Sequence, residues 1–346
     1  MSSNYARILD SLAGKSQHWL ITGCAGFIGS HLLAKLIECG QHVTGLDDFS
    51  SGKRANLDEV RAHVGEPSWE RFRLIEGDIR EASACREACR DADVVLHQAA
   101  MVSVPLSLQE PERCSSINVD GFLTVLEAAR DAGVKRFVYA SSSAVYGDSP
   151  EMPLREDGVL SPGSPYGASK LEDESLAQAF SKEHGISTVG LRYFNVFGPR
   201  QDPEGGYAAV VPRWIATSLR AERCRINGDG NNTRDFCHVA NVVQANILAA
   251  MTPMHGSDTF NVGLGERTSL NELSALIASQ VARLNPSAPP SIPIHDPARA
   301  GDIIHSQADI AKIRHWLGFE PMVSVRDGIE QMVRWSAERI QSANRQ

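Results

Sequence analysis

The stretch His18-Trp-Leu-Ile-Thr22-Gly23-Cys-Ala-Gly26-Phe-Ile-Gly29 decides how the chain is read. A short apolar run stops at a glycine, two more glycines follow at spacings of three, and a helical pattern continues to Cys39. That is a buried strand, a tight turn and a helix. Further strand-like runs fall at 42–47, 71–76, 93–97, 135–141 and 186–194, separated by helical patterns such as 117–132 and 166–184. Strand and helix alternating this regularly predict a parallel sheet covered on both faces by helices, an α/β doubly wound architecture. In such sheets ligands sit beyond the carboxyl ends of the strands, so the residues just after each strand carry the chemistry.

After Phe194 the rhythm breaks. Gly198-Pro-Arg-Gln-Asp-Pro-Glu-Gly-Gly206 reads as a loop, and 284–297 carries five prolines around one short strand. The last helix, roughly 323–342, is amphipathic. These shifts predict a Rossmann-like domain over 1–195 plus roughly 234–262, and a smaller C-terminal α/β lobe from 196–233 and 263–346. The chain has 346 residues, 42% of them hydrophobic and 22% charged, which excludes disordered and fibrous classes. Its net charge of −8 argues against a nucleic-acid partner, which needs a basic field. No apolar run approaches a membrane span, and residues 1–17 lack a signal peptide's apolar centre. Seven cysteines without paired spacing fit a reducing cytoplasm. Cys85 and Cys89 are four apart on a helix, but no second pair completes a metal set, so no metal is expected.

In the turn, Gly23, Gly26 and Gly29 suit a backbone that must bend sharply and let a pyrophosphate approach the helix N-terminus. A plain tight turn would explain the glycines nearly as well. Asp47, ending the second strand, strengthens the cofactor reading, because a carboxylate there accepts both ribose hydroxyls and repels a 2′-phosphate. The expected cofactor is therefore NAD; Lys53 and Arg54 just beyond could suit NADP but read as a solvated loop face.

Tyr166-Gly-Ala-Ser-Lys170 puts a phenol and an ammonium four apart on one helix face, after the strand-end run Ser141-Ser-Ser143. An ordinary phenol titrates near 10 and is a poor base at neutral pH, but a nearby cation favours the phenolate. Such a tyrosine can take a proton from an alcohol while hydride leaves the same carbon. Tyr-x-x-x-Lys alone is usually a surface helix; its occurrence with the glycine turn, Asp47 and the serine run in one parallel-sheet order changes that weighing.

With these motifs and with Gly77-Asp78-Ile79, His97-Gln-Ala-Ala100 and Tyr193-Phe-Asn-Val196, the chain resembles the extended short-chain dehydrogenase/reductase family over nearly its whole length. The resemblance implies a catalytic set of Ser142, Ser143, Tyr166 and Lys170. It implies a cofactor set of Gly23, Gly26, Phe27, Ile28, Gly29, Asp47, Asp48, Gly52, Asp78, Ile79, Gln98, Ala99 and Tyr193, together with Tyr166 and Lys170. Asp78 and Ile79 would flank the adenine, Ala99 the pyrophosphate and Tyr193 the nicotinamide pocket. Between Ser142 and Ser143 the triad serine is Ser142 by its spacing to Tyr146, with Ser143 close behind.

Within that family, 4,6-dehydratases carry an Asp-Glu pair after the strand-end hydroxyl; here Ser143 and Ala144 stand there, so the resemblance points to a 4-epimerase. It implies substrate contacts at Ser103, Ser142, Ser143, Asn195, Ala209, Val210, Asn227, Arg234, Arg299, Asp302 and Ser306, holding a UDP-sugar. A serine at 306, where UDP-glucose enzymes typically place a bulky aromatic, leaves room for an N-acetyl group, and the stretches 200–209 and 301–309 resemble bacterial UDP-N-acetylglucosamine 4-epimerases. Val102-Ser103 departs from the usual Gly-Ser of that group. UDP-glucose and UDP-N-acetylglucosaminuronate remain alternative substrates, and a non-enzymatic dinucleotide-sensing module is the alternative of a different class. The family commonly dimerises through two helices, here near 117–132 and 166–184, so a homodimer is expected.

Overall fold

The computed structural model describes residues 3–204, 208–284, 292–298 and 303–343. Seven parallel strands form its main sheet: His18–Thr22, His42–Asp47, Phe72–Glu76, Val94–His97, Arg136–Ser142, Ser187–Tyr193 and Ser257–Val262. Their spatial order, numbered by sequence, is seventh, sixth, fifth, fourth, first, second, third. The order reverses between the first and fourth strands, which pair Trp19 to Val94 through Thr22 to His97. A crevice opens at such a reversal, above the carboxyl ends of both strands.

Nearly continuous apolar strands make sense because both sheet faces are covered. Neighbouring residues point to opposite faces: Ile21, Leu96 and Val138 enter one core, Leu20, Val95 and Phe137 the other. The first core is closed by the helices Phe27–Glu38 and Val239–Met251, the second by Ala82–Cys89, Gly121–Asp131 and Pro165–His184. A third core, around Phe197, Trp214, Ile226, Leu273, Ile329 and Met332, unites the helices Val210–Leu219, Leu270–Leu284 and Val325–Ala343. Cys85 and Cys89 are fully buried in the second core, where burial pushes both thiols up to about 12. They are inert packing residues. Among the described residues no helix is long and apolar enough to cross a membrane.

The helical pattern at 117–132 is not one uninterrupted helix. A π turn, Ser116–Asp120, separates Pro111–Ser115 from Gly121–Asp131. This turn carries the buried Asn118, whose side chain accepts from the Met101 amide (2.7 Å) and donates to the Met101 carbonyl (3.2 Å) and to Ser169 Oγ (3.0 Å). The extra residue in the turn lets one side chain tie the loop after the fourth strand to the helix that bears Tyr166.

Candidate active site

The glycine turn lies at the sheet reversal. Gly23 has φ +70°, and a Cβ there would stand 2.9 Å from the Ala99 amide nitrogen; one on Gly29 would stand 2.0 Å from the Gly23 carbonyl oxygen. Both positions exclude any side chain, so the loops after the first and fourth strands touch. Thr22 Oγ1 accepts the Gln98 and Ala99 amides, each at 3.2 Å, and lies 2.9 Å from His97 Nδ1. Gly26 caps the helix Phe27–Glu38 without a side chain, leaving its amino end, with Phe27 and Ile28, open to an anion. Asp47 is buried with its carboxylate held by the Ala25 (2.8 Å) and Phe49 (2.9 Å) amides, and Gly52 crosses so close that a Cβ would come 2.7 Å from Asp47 Oδ1. These features fit a dinucleotide: a cradle any Cβ would fill, a helix N-terminus above it, and an acid at the ribose position.

The neighbouring residues sort themselves by partner. Asp48 is exposed and accepts Ser50, Asp78 is clamped by Arg80, which holds its carboxyl below the usual range, and Ile79 is buried. Lys53 pairs with Asp202 (2.5 Å) and Arg54 with Glu76, all four side chains being exposed. Tyr193 lies in a closed ring: its hydroxyl donates to Gln98 Oε1 (3.1 Å) and accepts from Asn246 Nδ2 (2.8 Å), while Gln98 Nε2 donates to Asn246 Oδ1 (3.1 Å). Burial drives its phenol well above the ordinary value, so Tyr193 stays protonated and is not a second base.

Tyr166 and Lys170 occupy the first two turns of Pro165–His184, a helix capped by Ser164 Oγ on the Gly167 amide, with proline at its first position. Gly167 presses on the 3-10 turn Ser143–Tyr146: a Cβ would stand 2.6 Å from the Ala144 carbonyl oxygen. The serine run and the tyrosine helix are thereby in direct contact. Ser142 Oγ caps that 3-10 turn (3.1 Å to the Ala144 amide), and Ser107 Oγ holds the Tyr166 amide (3.2 Å). Lys170 is 1% exposed and Tyr166 half-buried.

Asn195 bonds to Asp235, Arg234 precedes it in the chain, and Ser306 pairs with the neighbouring Thr233. The carboxylate of Asp235, fully buried and pushed up to about 6 by that burial, accepts the amides of Leu264 (2.8 Å), Gly265 (2.9 Å) and Ala308 (3.1 Å). Asn195 Nδ2 donates to its backbone carbonyl (3.3 Å), and the Ser306 amide to Thr233 (3.1 Å), one residue before Arg234. Ser306 is 6% exposed, so it is not an incidental surface residue. Ala209 and Val210 begin an uncapped helix, Ser103 caps the short helix Val104–Gln109, and Asn227 is exposed at the end of Arg225–Asn227. Arg299 and Asp302 lie outside the described residues. Asn118, Asn246 and Asp235 escaped the sequence reading; the only signal for the first two is an amide inside an apolar helical run.

Residues 19–263 match the model of the NAD dependent epimerase/dehydratase family. The chain belongs to that family, and NAD is the family's cofactor. It is 37% identical over 324 residues, 93% of this chain and 99% of the relative, to a UDP-glucose 4-epimerase of Mycolicibacterium smegmatis. Among solved structures it is similar to UDP-N-acetylglucosamine 4-epimerase of Methanobrevibacter ruminantium M1 in complex with UDP-N-acetylmuramic acid (TM-score 0.86, 36% identity, 94% of this chain and 99% of that one). It is also similar to the UDP-glucose 4-epimerase of Thermus thermophilus in complex with NAD (TM-score 0.80, 32% identity, 92% and 98%). The seven-stranded sheet and its flanking helices are those of this family's fold.

Proposed function

We propose that this chain is a UDP-sugar 4-epimerase acting on UDP-N-acetylhexosamines, interconverting UDP-N-acetylglucosamine and UDP-N-acetylgalactosamine through a 4-keto sugar. The observation that carries the reading is the start of the helix Pro165–His184, which bears Tyr166 and the buried Lys170 and packs through Gly167 against the 3-10 turn that begins at Ser143. NAD, which the glycine turn Gly23–Gly29 and Asp47 would hold, would supply the hydride acceptor and donor for the sugar C4. Tyr166 removes the 4-hydroxyl proton and later restores it, with the Lys170 ammonium favouring its phenolate. Ser142 or Ser143 holds the sugar oxygen during the transfer. Ser143 and Ala144 stand where an elimination acid would be needed, so the keto sugar is reduced again and not dehydrated.

The lobe formed by 196–233 and 263–346 holds UDP, with Arg234 a planar donor for the diphosphate and Asn195 beside it. A firm grip on UDP and a loose one on the hexose let the keto sugar turn its other face. Ser306, small and buried next to Arg234, leaves the volume for an N-acetyl group. A second reading, epimerisation of UDP-glucose, has support from the name of the Mycolicibacterium relative. The test is incubation of the protein with UDP-N-acetylglucosamine, UDP-glucose and UDP-N-acetylglucosaminuronate separately, without added cofactor, with products resolved by NMR. Tyr166→Phe should lower kcat by about 10²–10⁴-fold while UDP affinity holds. Undiminished turnover by that variant overturns the assignment of the base.

A further inference from the structure

Beneath the catalytic face of Pro165–His184 are two carboxylates that look alike in sequence and differ in use. Glu174 is a structural anchor: Oε1 accepts Ser141 Oγ (2.6 Å) and Arg192 Nε (2.8 Å), and Oε2 accepts Arg192 Nη2 (2.7 Å). Asp173 has one partner. Its Oδ2 accepts from Lys170 Nζ at 2.9 Å, its Oδ1 is buried with no hydrogen-bond partner, and the residue is fully buried. A fully buried carboxylate whose one protein partner is an ammonium acts through its charge on that contact.

The surroundings leave that charge unopposed. His97 from the fourth strand is held neutral by burial and by the Lys170 ammonium, its pKa pushed down to about 3. Tyr139 from the fifth strand is a buried phenol held in its neutral form, and Cys114, from the helix Pro111–Ser115, is a thiol whose pKa burial raises. Arg192 from the sixth strand is taken by Glu174. Among the described residues Asp173 is the one carboxylate in contact with Lys170. Without it a fully buried ammonium would face Tyr166 with no counter-ion, and desolvation would discharge it.

We propose that Asp173 is a positioning residue for the reaction: it keeps Lys170 charged and aimed from below, so that the lysine can hold Tyr166 in its reactive state. The inference rests on the assignment of Tyr166 and Lys170 as the reacting pair. Burial opposes the charge on both partners, pushing the Asp173 carboxyl up to about 6, while Asp173 is the largest influence holding the proton on Lys170, so the pair is charged above that pH.

The test uses the full chain with its bound cofactor and whichever UDP-hexose it turns over, followed from pH 6 to 10. Asp173→Asn is expected to lower kcat at least about 10-fold with KM for the UDP-sugar within about twofold, and to bring the alkaline limb of kcat down by about 1 pH unit or more. Thermal melts supply a readout apart from turnover. A buried ammonium without its partner has its folded pKa below the unfolded value of about 10.4, so destabilisation grows as pH falls from there. The Tm gap between wild type and variant should accordingly close between pH 7 and 10. Asp173→Val, apolar and similar in volume, should move both readouts in the same directions and serves if the amide variant does not fold. A constant Tm gap together with an unmoved alkaline limb overturns the proposal and makes Asp173 a packing residue. If Tyr166→Phe retains full turnover, the reading of the reacting pair fails instead, so the two failures are distinguishable.

Discussion

Ser306 and Lys170 show how far a single side chain's meaning depends on its surroundings. A serine in Ile303-Ile-His-Ser306 is ordinary as sequence, but the bridge of Thr233 to His305 places it beside Arg234 and buries it. An aromatic ring at 306 must therefore occupy space in the lobe and cannot swing into solvent. Ser306→Tyr is expected to lower kcat/KM for UDP-N-acetylglucosamine by at least about 10-fold, the scale of a ~1.4 kcal/mol clash, while leaving UDP-glucose turnover within a few-fold. Parallel steady-state assays on the two substrates check this; equal losses on both would remove Ser306 from the specificity argument. The placing of Lys170 with Tyr166 on one helix face was legible because the i, i+4 spacing is local. Its counter-ion at i+3 was not, since the same spacing on an exposed helix would be an ion pair worth little.

At the scale of elements, the helix Pro165–His184 is the piece on which the site depends. Its ends are set by local chemistry: Ser164 and Pro165 start it, and Gly185 in the left-handed conformation stops it. Its inner face is polar where an ordinary amphipathic helix would be apolar, because Ser169, Lys170, Asp173 and Glu174 are all buried. The Glu174–Arg192 pair, both side chains under 10% exposed, joins this helix to the sixth strand, and Arg192 also donates to the Tyr146 hydroxyl (2.8 Å). Removing the acid leaves a buried guanidinium uncompensated. Glu174→Ala should cost about 3–5 kcal/mol in urea-induced unfolding, well beyond the ~1 kcal/mol of a lost surface pair. A loss under about 1 kcal/mol would mean that water replaces the carboxylate. The π turn at Ser116–Asp120 belongs to this scale too. No periodicity announces it, since one extra residue per turn is invisible in a pattern that is apolar on both sides of it.

For the whole molecule, acid stability follows from groups that burial keeps uncharged. His97 is 1% exposed, packed against Phe122 and Phe137, and pushed down to about 3 by burial and then by Lys170. Its folded pKa lies below the unfolded value of about 6.5, so between those values only the unfolded chain takes up the proton. Stability is full above about pH 6.5 and falls by about 1.4 kcal/mol per pH unit below it for this one ring. Asp235, pushed up to about 6, works in the opposite sense and gains stability as pH falls through that value. Melts of wild type and His97→Gln between pH 7.5 and 5 separate the contributions: the variant should start lower and descend less steeply. Parallel slopes would show that the imidazole charges in place.

Six of the seven strands, most of the helices between them, the glycine turn, Asp47 and the spacing of Tyr166 and Lys170 could be read from the chain, because periods of 2 and 3.6 and the steric demands of a turn are contained within a few residues. Gly23 and Gly29 would fail with any other side chain, and the motif says so without coordinates. Contacts that join distant residues could not be read this way. Asp235 gathers amides from 264, 265 and 308, Asn246 closes a ring with 98 and 193, and burial, helped by the Lys170 that Asp173 holds, keeps His97 neutral. Whether a carboxylate is a solvated ornament or a charge that governs its neighbour depends on the dielectric around it and on what stands opposite. Both are properties of the folded interior, set by residues far away along the chain.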